Sequence, residues 1–181
     1  ISATNLSTIG AATTGTVTVT NAIEITGNHD QLTAALVTES TKVVANVATV
    51  IINDADETAI TASELAVVGA ATTGTVTVTN AVAITGTTAE MIAALVTAGT
   101  LVEVSDATVT ISDIPTIAEL NAIAAKTTGV VTATLAANSL ANLSDLTTAG
   151  TDAITITVND ADAEALLSLI HISEPTRRRL I

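Results

Sequence analysis

Apolar and polar residues alternate strictly in the clearest stretch of the chain. Val17, Val19, Ile23 and Ile25 share one parity, while Thr16, Thr18, Thr20, Glu24 and Thr26 share the other. Val76, Val78, Val82 and Ile84 reproduce the pattern. A period of two buries one aliphatic face of a strand and turns Thr and Glu outward. Asn21 and Asn80 fall on the aliphatic parity. Either the strand bends there, or the amides stack in an inner ladder and bond to backbone at a turn.

A different pattern follows each strand. Asn28-His29-Asp30-Gln31, Thr61-Ala62-Ser63-Glu64, Thr87-Thr88-Ala89-Glu90 and Thr116-Ile117-Ala118-Glu119 each precede Leu or Met. All four fit a capping box, in which the first side chain accepts an amide hydrogen bond and the residue three later returns one. Leu32 with Leu36, Met91 with Leu95, and Leu120 with Ile123 and Ala124 then supply one narrow apolar stripe per helix. Helices of about two to three turns do not persist alone, so they must pack on neighbours. Gly74, Gly99, Gly129 and Gly150 are expected to stop them before the next strand.

The chain repeats itself. Gly10–Gly27 reads GAATTGTVTVTNAIEITG and Gly69–Gly86 reads GAATTGTVTVTNAVAITG, an offset of 59 residues with changes only at Ile23/Val82 and Glu24/Ala83. The offset persists through Leu36/Leu95, Val43/Val102, Val50/Val109, Ile52/Ile111 and Asp54/Asp113. Strand-like pieces begin after Gly15, around Thr41 and after Gly74, Gly99, Gly129 and Gly150. That spacing divides each long repeat into two half-units of roughly 21 to 34 residues, a length that suits one supersecondary unit.

Strand, short helix and strand again imply parallel pairing. The expected fold is α/β, a repetitive parallel solenoid with a strand and a short helix in most coils. β-sandwich repeats are the alternative, because Thr/Val alternation also suits them. Residues 1–167 are expected to form the solenoid fragment, an internal piece of something longer. At residues 168–181 the sequence changes abruptly to SLIHISEPTRRRLI. The string LIHISEPTR resembles translated sequencing-adapter DNA, so this tail is expected to be non-native; a basic arm or an expression tag are other readings.

Composition sharpens the picture. The 181 residues are 48% hydrophobic, yet they include no Phe, Tyr, Trp or Cys and only one Met. Regularly stacked turns can close a narrow core with aliphatic side chains alone. The formal charge of −13 opposes nucleic acid and anionic lipid, and no basic stripe with interleaved aromatics is present. Mean hydropathy is +0.61. Polar residues nevertheless interrupt every apolar stretch, so membrane insertion is not expected. Ile1 opens directly in Ser/Thr-rich sequence with no cationic signal peptide.

Catalytic chemistry is poorly supplied. The histidines are His29, inside a capping box, where a solvent-facing role is expected, and His171, in the tail. Without Cys there is neither a thiol nucleophile nor a Cys-based zinc site. No G-x-S-x-G elbow, phosphate-binding loop or dinucleotide turn occurs. Carboxylates offer the one ligand hypothesis. Asp54, Asp56 and Glu57, and again Asp160, Asp162 and Glu164, crowd hard oxygens into turns, which suits Ca²⁺. Neither run has EF-hand spacing, and acidic first turns also stabilise helix starts. No cofactor other than calcium is indicated.

The Thr faces form a further candidate. Thr16, Thr18 and Thr20, matched by Thr75, Thr77 and Thr79, could build flat exposed arrays of the sort that bind ice or polysaccharide. An intervening coil would interrupt them with Lys42, Val44 and Asn46, and Thr also simply favours the solvent side of strands.

With TVTVTNAVAITGTTAEMIAALVTAG and TIAELNAIAAKTTGVVTATL on view, residues 5 to 167 resemble the low-aromatic, Thr/Ala/Val-rich repeats of giant secreted bacterial or cyanobacterial surface proteins, adhesin-like or hemolysin-like. The resemblance implies export, a secreted or cell-surface location and calcium-assisted folding in the parent. The expected function is a non-catalytic structural or adhesive repeat module, with neighbouring repeats of the parent as partners. A glycan- or surface-binding module is the alternative, and no enzyme activity is expected.

Overall fold

The protein, described over residues 1–159 of a computed structural model, runs α1 (Ala3–Ala11), β1 (Val17–Thr18), β2 (Glu24–Gly27), α2 (His29–Leu36), β3 (Val43–Val44), β4 (Thr49–Ile52), β5 (Ala59–Thr61) and α3 (Ala62–Gly69). It continues through β6 (Val76–Val78), β7 (Ala83–Gly86), α4 (Thr88–Leu95), β8 (Val102–Glu103), β9 (Thr108–Ile111), α5 (Ile117–Ala124), β10 (Val131–Thr134), α6 (Leu140–Leu143) and β11 (Ala153–Thr155).

Side chains fix where the helices start. Asn28/Gln31, Thr61/Glu64, Thr87/Glu90 and Thr116/Glu119 all form reciprocal capping boxes. Ser2 caps α1 by accepting from the amide of Asn5. Each such cap contributes about 1 kcal/mol. The helix ends differ from expectation. C-caps fall on Ala12, Val37, Ala70, Val96 and Ala125 in right-handed conformation, and no glycine has positive φ.

Glycine serves close approach instead. A methyl group on Gly10 or Gly69 would collide with the backbone carbonyl of Thr41 or Thr100. These contacts let α1 pack tightly with α2, and α3 with α4. Thr41 and Thr100 also donate their hydroxyls to the carbonyls of Ala34 and Ala93 on those same helices.

Every strand pair is parallel. The sheets are β1-β3, β2-β4-β6-β8 and β11-β10-β9-β7-β5. Val76 and Val78 on β6 point inward as the sequence predicts, and Val50 and Ile52 on β4 and Val109 and Ile111 on β9 alternate in the same way. Leu32, Leu65, Met91 and Leu120 descend on them from the helices. One hydrophobic core runs continuously from Ala3 to Leu135. Burying each large aliphatic contributes about 1.5–3 kcal/mol.

The chain is thus a single α/β domain, Rossmann-like in setting parallel strands against interleaved helices. Strand order never reverses within a sheet, so no topological switch point opens a crevice for a dinucleotide. This corrects the expected tandem solenoid of residues 1–167. Stacked copies would place equivalent residues above one another, yet the copies fall in different sheets. Strands β2 and β4 belong to the four-stranded sheet, and their counterparts β7 and β9 to the five-stranded one. Val17 pairs with Val43 and its counterpart Val76 with Val102 in the same way, but Val76 has a second neighbour, Val50, where Val17 has none among the described residues.

The cause is local. Between α2 and α3 the chain lays down β3, β4 and β5, one strand more than between α3 and α4, and this displaces the second copy by one strand position. β-Sandwich repeats are excluded because such domains are antiparallel and these pairs are parallel. The tail, residues 168–181, lies outside the described residues.

Gly69→Ala is expected to destabilise by about 1–3 kcal/mol, since the Thr100 backbone cannot retreat without prising α3 from α4. Gly99, with nothing near its absent Cβ, should tolerate Ala with a change below about 1 kcal/mol. Paired urea melts of the two variants test the contrast; equal midpoints would contradict it.

Candidate functional site

The carboxylate turns resolve into caps that reach across the domain. Asp54 is 5% exposed; its Oδ2 accepts the His29 amide at 2.7 Å, and its Oδ1 lies 2.7 Å from His29 Nδ1. Asp113, its counterpart, accepts from the Thr88 amide at 2.7 Å and the Thr88 hydroxyl at 2.6 Å. In each case a turn following a strand supplies an acceptor to the first residue of a helix that lies earlier in the chain. Asp56 Oδ1 accepts the Ala81 amide at 3.1 Å. Glu57 is exposed at φ 63°, the one residue other than glycine with positive φ among those described.

The expected calcium ligands are therefore dispersed on separate tasks. Among the described residues no group of three His, Asp or Glu side chains stands close enough to hold a metal ion. Asp160, Asp162 and Glu164 lie outside the described residues. His29, expected to face solvent, is instead largely covered between Asp54 and Asp30, with Nε2 3.4 Å from the Asp30 carboxylate. The pair resembles the orienting half of a hydrolytic triad. Among the described residues, however, no hydroxyl is hydrogen-bonded to the ring.

Several carboxylates are held below their ordinary range. The Thr88 hydroxyl and then its amide stabilise ionised Asp113. Glu64 is lowered by the Thr61 hydroxyl and amide, with a smaller contribution from His29. Glu119 is lowered first by the Thr116 amide, then by its hydroxyl.

A second arrangement grips main chain. Thr72 Oγ1 donates to the Ala48 carbonyl at 2.6 Å, and Thr73 donates both its amide and its hydroxyl to the Asn46 carbonyl, each at 2.8 Å. Gly74 lies directly beneath the Ala48 carbonyl, where a Cβ would collide. Thr127, Thr128 and Gly129 repeat the clamp on Ala107 and Ser105, at 2.6 Å, 2.8 Å and 2.9 Å. The sequence carries the signal as a recurrent Thr-Thr-Gly. Its meaning depends on which carbonyls lie opposite, and pattern reading missed it.

The Thr arrays also move. Thr77 is flanked by Ile51 and Glu103, which breaks the expected grid. The register instead aligns exposed Thr61, Thr85, Thr110 and Thr132 across the five-stranded sheet. A groove of about 570 Å³ lies between Ile114, Ile117, Leu135 and Asn138. No helix among the described residues is long and apolar enough to cross a membrane.

Compared with family models, curated proteins and solved structures, the chain matches none. The resemblance to secreted surface repeats is corrected by the fold, a single α/β domain with parallel sheets and interleaved helices. The structural or adhesive module, the neighbouring-repeat partners and the glycan or surface ligand fall with it.

Lowered carboxylates contribute stability that is present above their ordinary values, 4.5 for Glu64 and Glu119 and 3.8 for Asp113, and lost as pH falls through the folded values. Thermal melts should be level toward neutrality and fall progressively in acid below those values. Asp113→Asn should show a shallower acid dependence than the parent; an identical slope would contradict the Thr88 contact as a source.

Proposed function

We propose that this is a non-catalytic docking domain that receives extended polypeptide at the edges of its parallel sheets. The clamp geometry carries the reading, because the domain already joins its own turns main chain to main chain through Thr hydroxyls, Thr amides and a close-set glycine. The same chemistry is available to a second polypeptide. Strands β1 and β11 each have a partner on one side only among the described residues. An unpaired strand edge recognises another chain by adding it as a strand, with affinity from backbone hydrogen bonds and specificity from alternate side chains.

Two further features favour docking over catalysis. Among the described residues no buried side-chain nitrogen or oxygen lacks a hydrogen-bond partner, so the buried polar groups serve the fold. The acidic surface, with a formal charge of −13, favours segments flanked by basic residues and quickens their encounter. A secreted or cell-surface setting is part of the proposal, and the absence of cysteine fits either side of a membrane. Fractionation of source cells tests it, and recovery from cytosol alone would remove it.

Selection from a displayed library of random extended peptides should enrich sequences with alternating β-branched residues. Bound peptides should slow amide hydrogen exchange along β1 or β11. Failure to enrich any sequence, or binding that leaves both edges unprotected, would overturn the docking reading.

A further inference from the structure

The first of the three Thr-Thr-Gly clamps grips nothing among the described residues. Thr13, Thr14 and Gly15 occupy the positions of Thr72, Thr73 and Gly74 in the repeat, and the inner geometry is already set: Thr13 Oγ1 accepts the Gly15 amide at 3.0 Å, as Thr72 and Thr127 do for Gly74 and Gly129. Their outward bonds differ. The hydroxyl of buried Thr72 holds the Ala48 carbonyl, whereas Thr13 and Thr14 are exposed. A Cβ on Gly74 would collide with the Ala48 carbonyl, whereas a Cβ on Gly15 would meet only Thr13 Oγ1, at an ordinary 3.5 Å.

The neighbouring strand is open in the same way. β6 pairs with β8 on one side and β4 on the other, while β1 pairs only with β3. Val76 and Val78 are consequently buried, and their counterparts Val17 and Val19 are only partly so. Asn80 donates to the Asp54 carbonyl at the far end of this contact, and its counterpart Asn21 is exposed. Clamp, strand edge and amide therefore form a continuous surface whose filled version lies in the same molecule.

We infer that Thr13, Thr14, Gly15, the free edge of β1 and Asn21 form a receptor for a polypeptide turn and strand of the kind that residues 45–56 present to the second copy. The recognised segment offers two carbonyls two residues apart, the second on a small residue that can sit against Gly15. An extended run of β-branched residues follows, as Thr49-Val50-Ile51-Ile52 does, paired in parallel with β1. In the filled copy this pairing runs from the Val50 amide to the Thr75 carbonyl at 2.9 Å and from the Thr79 amide to the Ile52 carbonyl at 3.1 Å. Thr16 and Thr20 hold the matching backbone positions flanking β1. The inference rests on the docking reading and names its partner and its edge.

A synthetic peptide with the sequence of residues 45–56, titrated into the full chain and followed by calorimetry and amide exchange, is the test. Saturable binding that protects the amides of Thr14, Thr18 and Thr20, the counterparts of Thr73, Thr77 and Thr79, is expected. Gly15→Ala discriminates, because the added methyl fits the free protein and should leave its melting unchanged, yet it would occupy the place of the incoming carbonyl. Binding to that variant should weaken roughly tenfold or more, about 1.4 kcal/mol or greater. Gly99→Ala should bind as the parent does. No saturable binding by the parent chain at millimolar peptide, or equal binding by Gly15→Ala, would overturn the inference. Library peptides protecting β11 alone would overturn it too, while leaving the docking reading in place.

Discussion

Parallel strands of two to four residues cannot hold themselves, and their hydrogen bonds must come from neighbouring strands. In this chain the neighbour is always 21 to 26 residues away. Each strand is consequently only as secure as the turn that delivers the next one. The Thr-Thr-Gly clamps and the cross-domain Asp caps fasten those turns, one at each end of a strand. Ala48 and Asp54 bracket β4 in this manner, as Ala107 and Asp113 bracket β9. Aliphatic packing supplies the energy, and these polar fastenings select the register.

Local physics was legible in the sequence. The four capping boxes and the aliphatic parity of β6 follow from spacing alone, because each depends on residues no more than a few positions apart, and the alternation of strand and short helix implies the parallel arrangement. The 59-residue repeat misled for a physical reason. Identity between Gly10–Gly27 and Gly69–Gly86 reports equal local preferences, but sheet membership depends on how many strands intervene. The additional strand β5 changes that number once, and every later strand shifts with it. Nothing in residues 59–61 announces the consequence.

Site chemistry was legible by type and obscure by partner. Asp54 stands out in the sequence as a carboxylate in a turn, open to calcium or to a helix start, and the structure sets its oxygens on the amide and ring of His29. The glycines were recognised as special, yet they mark backbone contact at Gly10, Gly69, Gly74 and Gly129 and not helix termination. In both cases the decisive atom belongs to a residue at least twenty positions distant. Equal sequence in unequal surroundings is also what exposes the vacant clamp, since Thr72 is buried against the Ala48 carbonyl in one copy while its counterpart Thr13 is exposed in the other.

The account stands on the claim that spatial neighbours are a strand interval apart and not a repeat apart. Methyl nuclear Overhauser contacts in isotopically labelled protein measure this directly, because adjacent strands lie about 4.8 Å apart. Contacts from Val76 to both Val50 and Val102 are expected. A contact from Val76 to Val17, with those to Val50 absent, would contradict it.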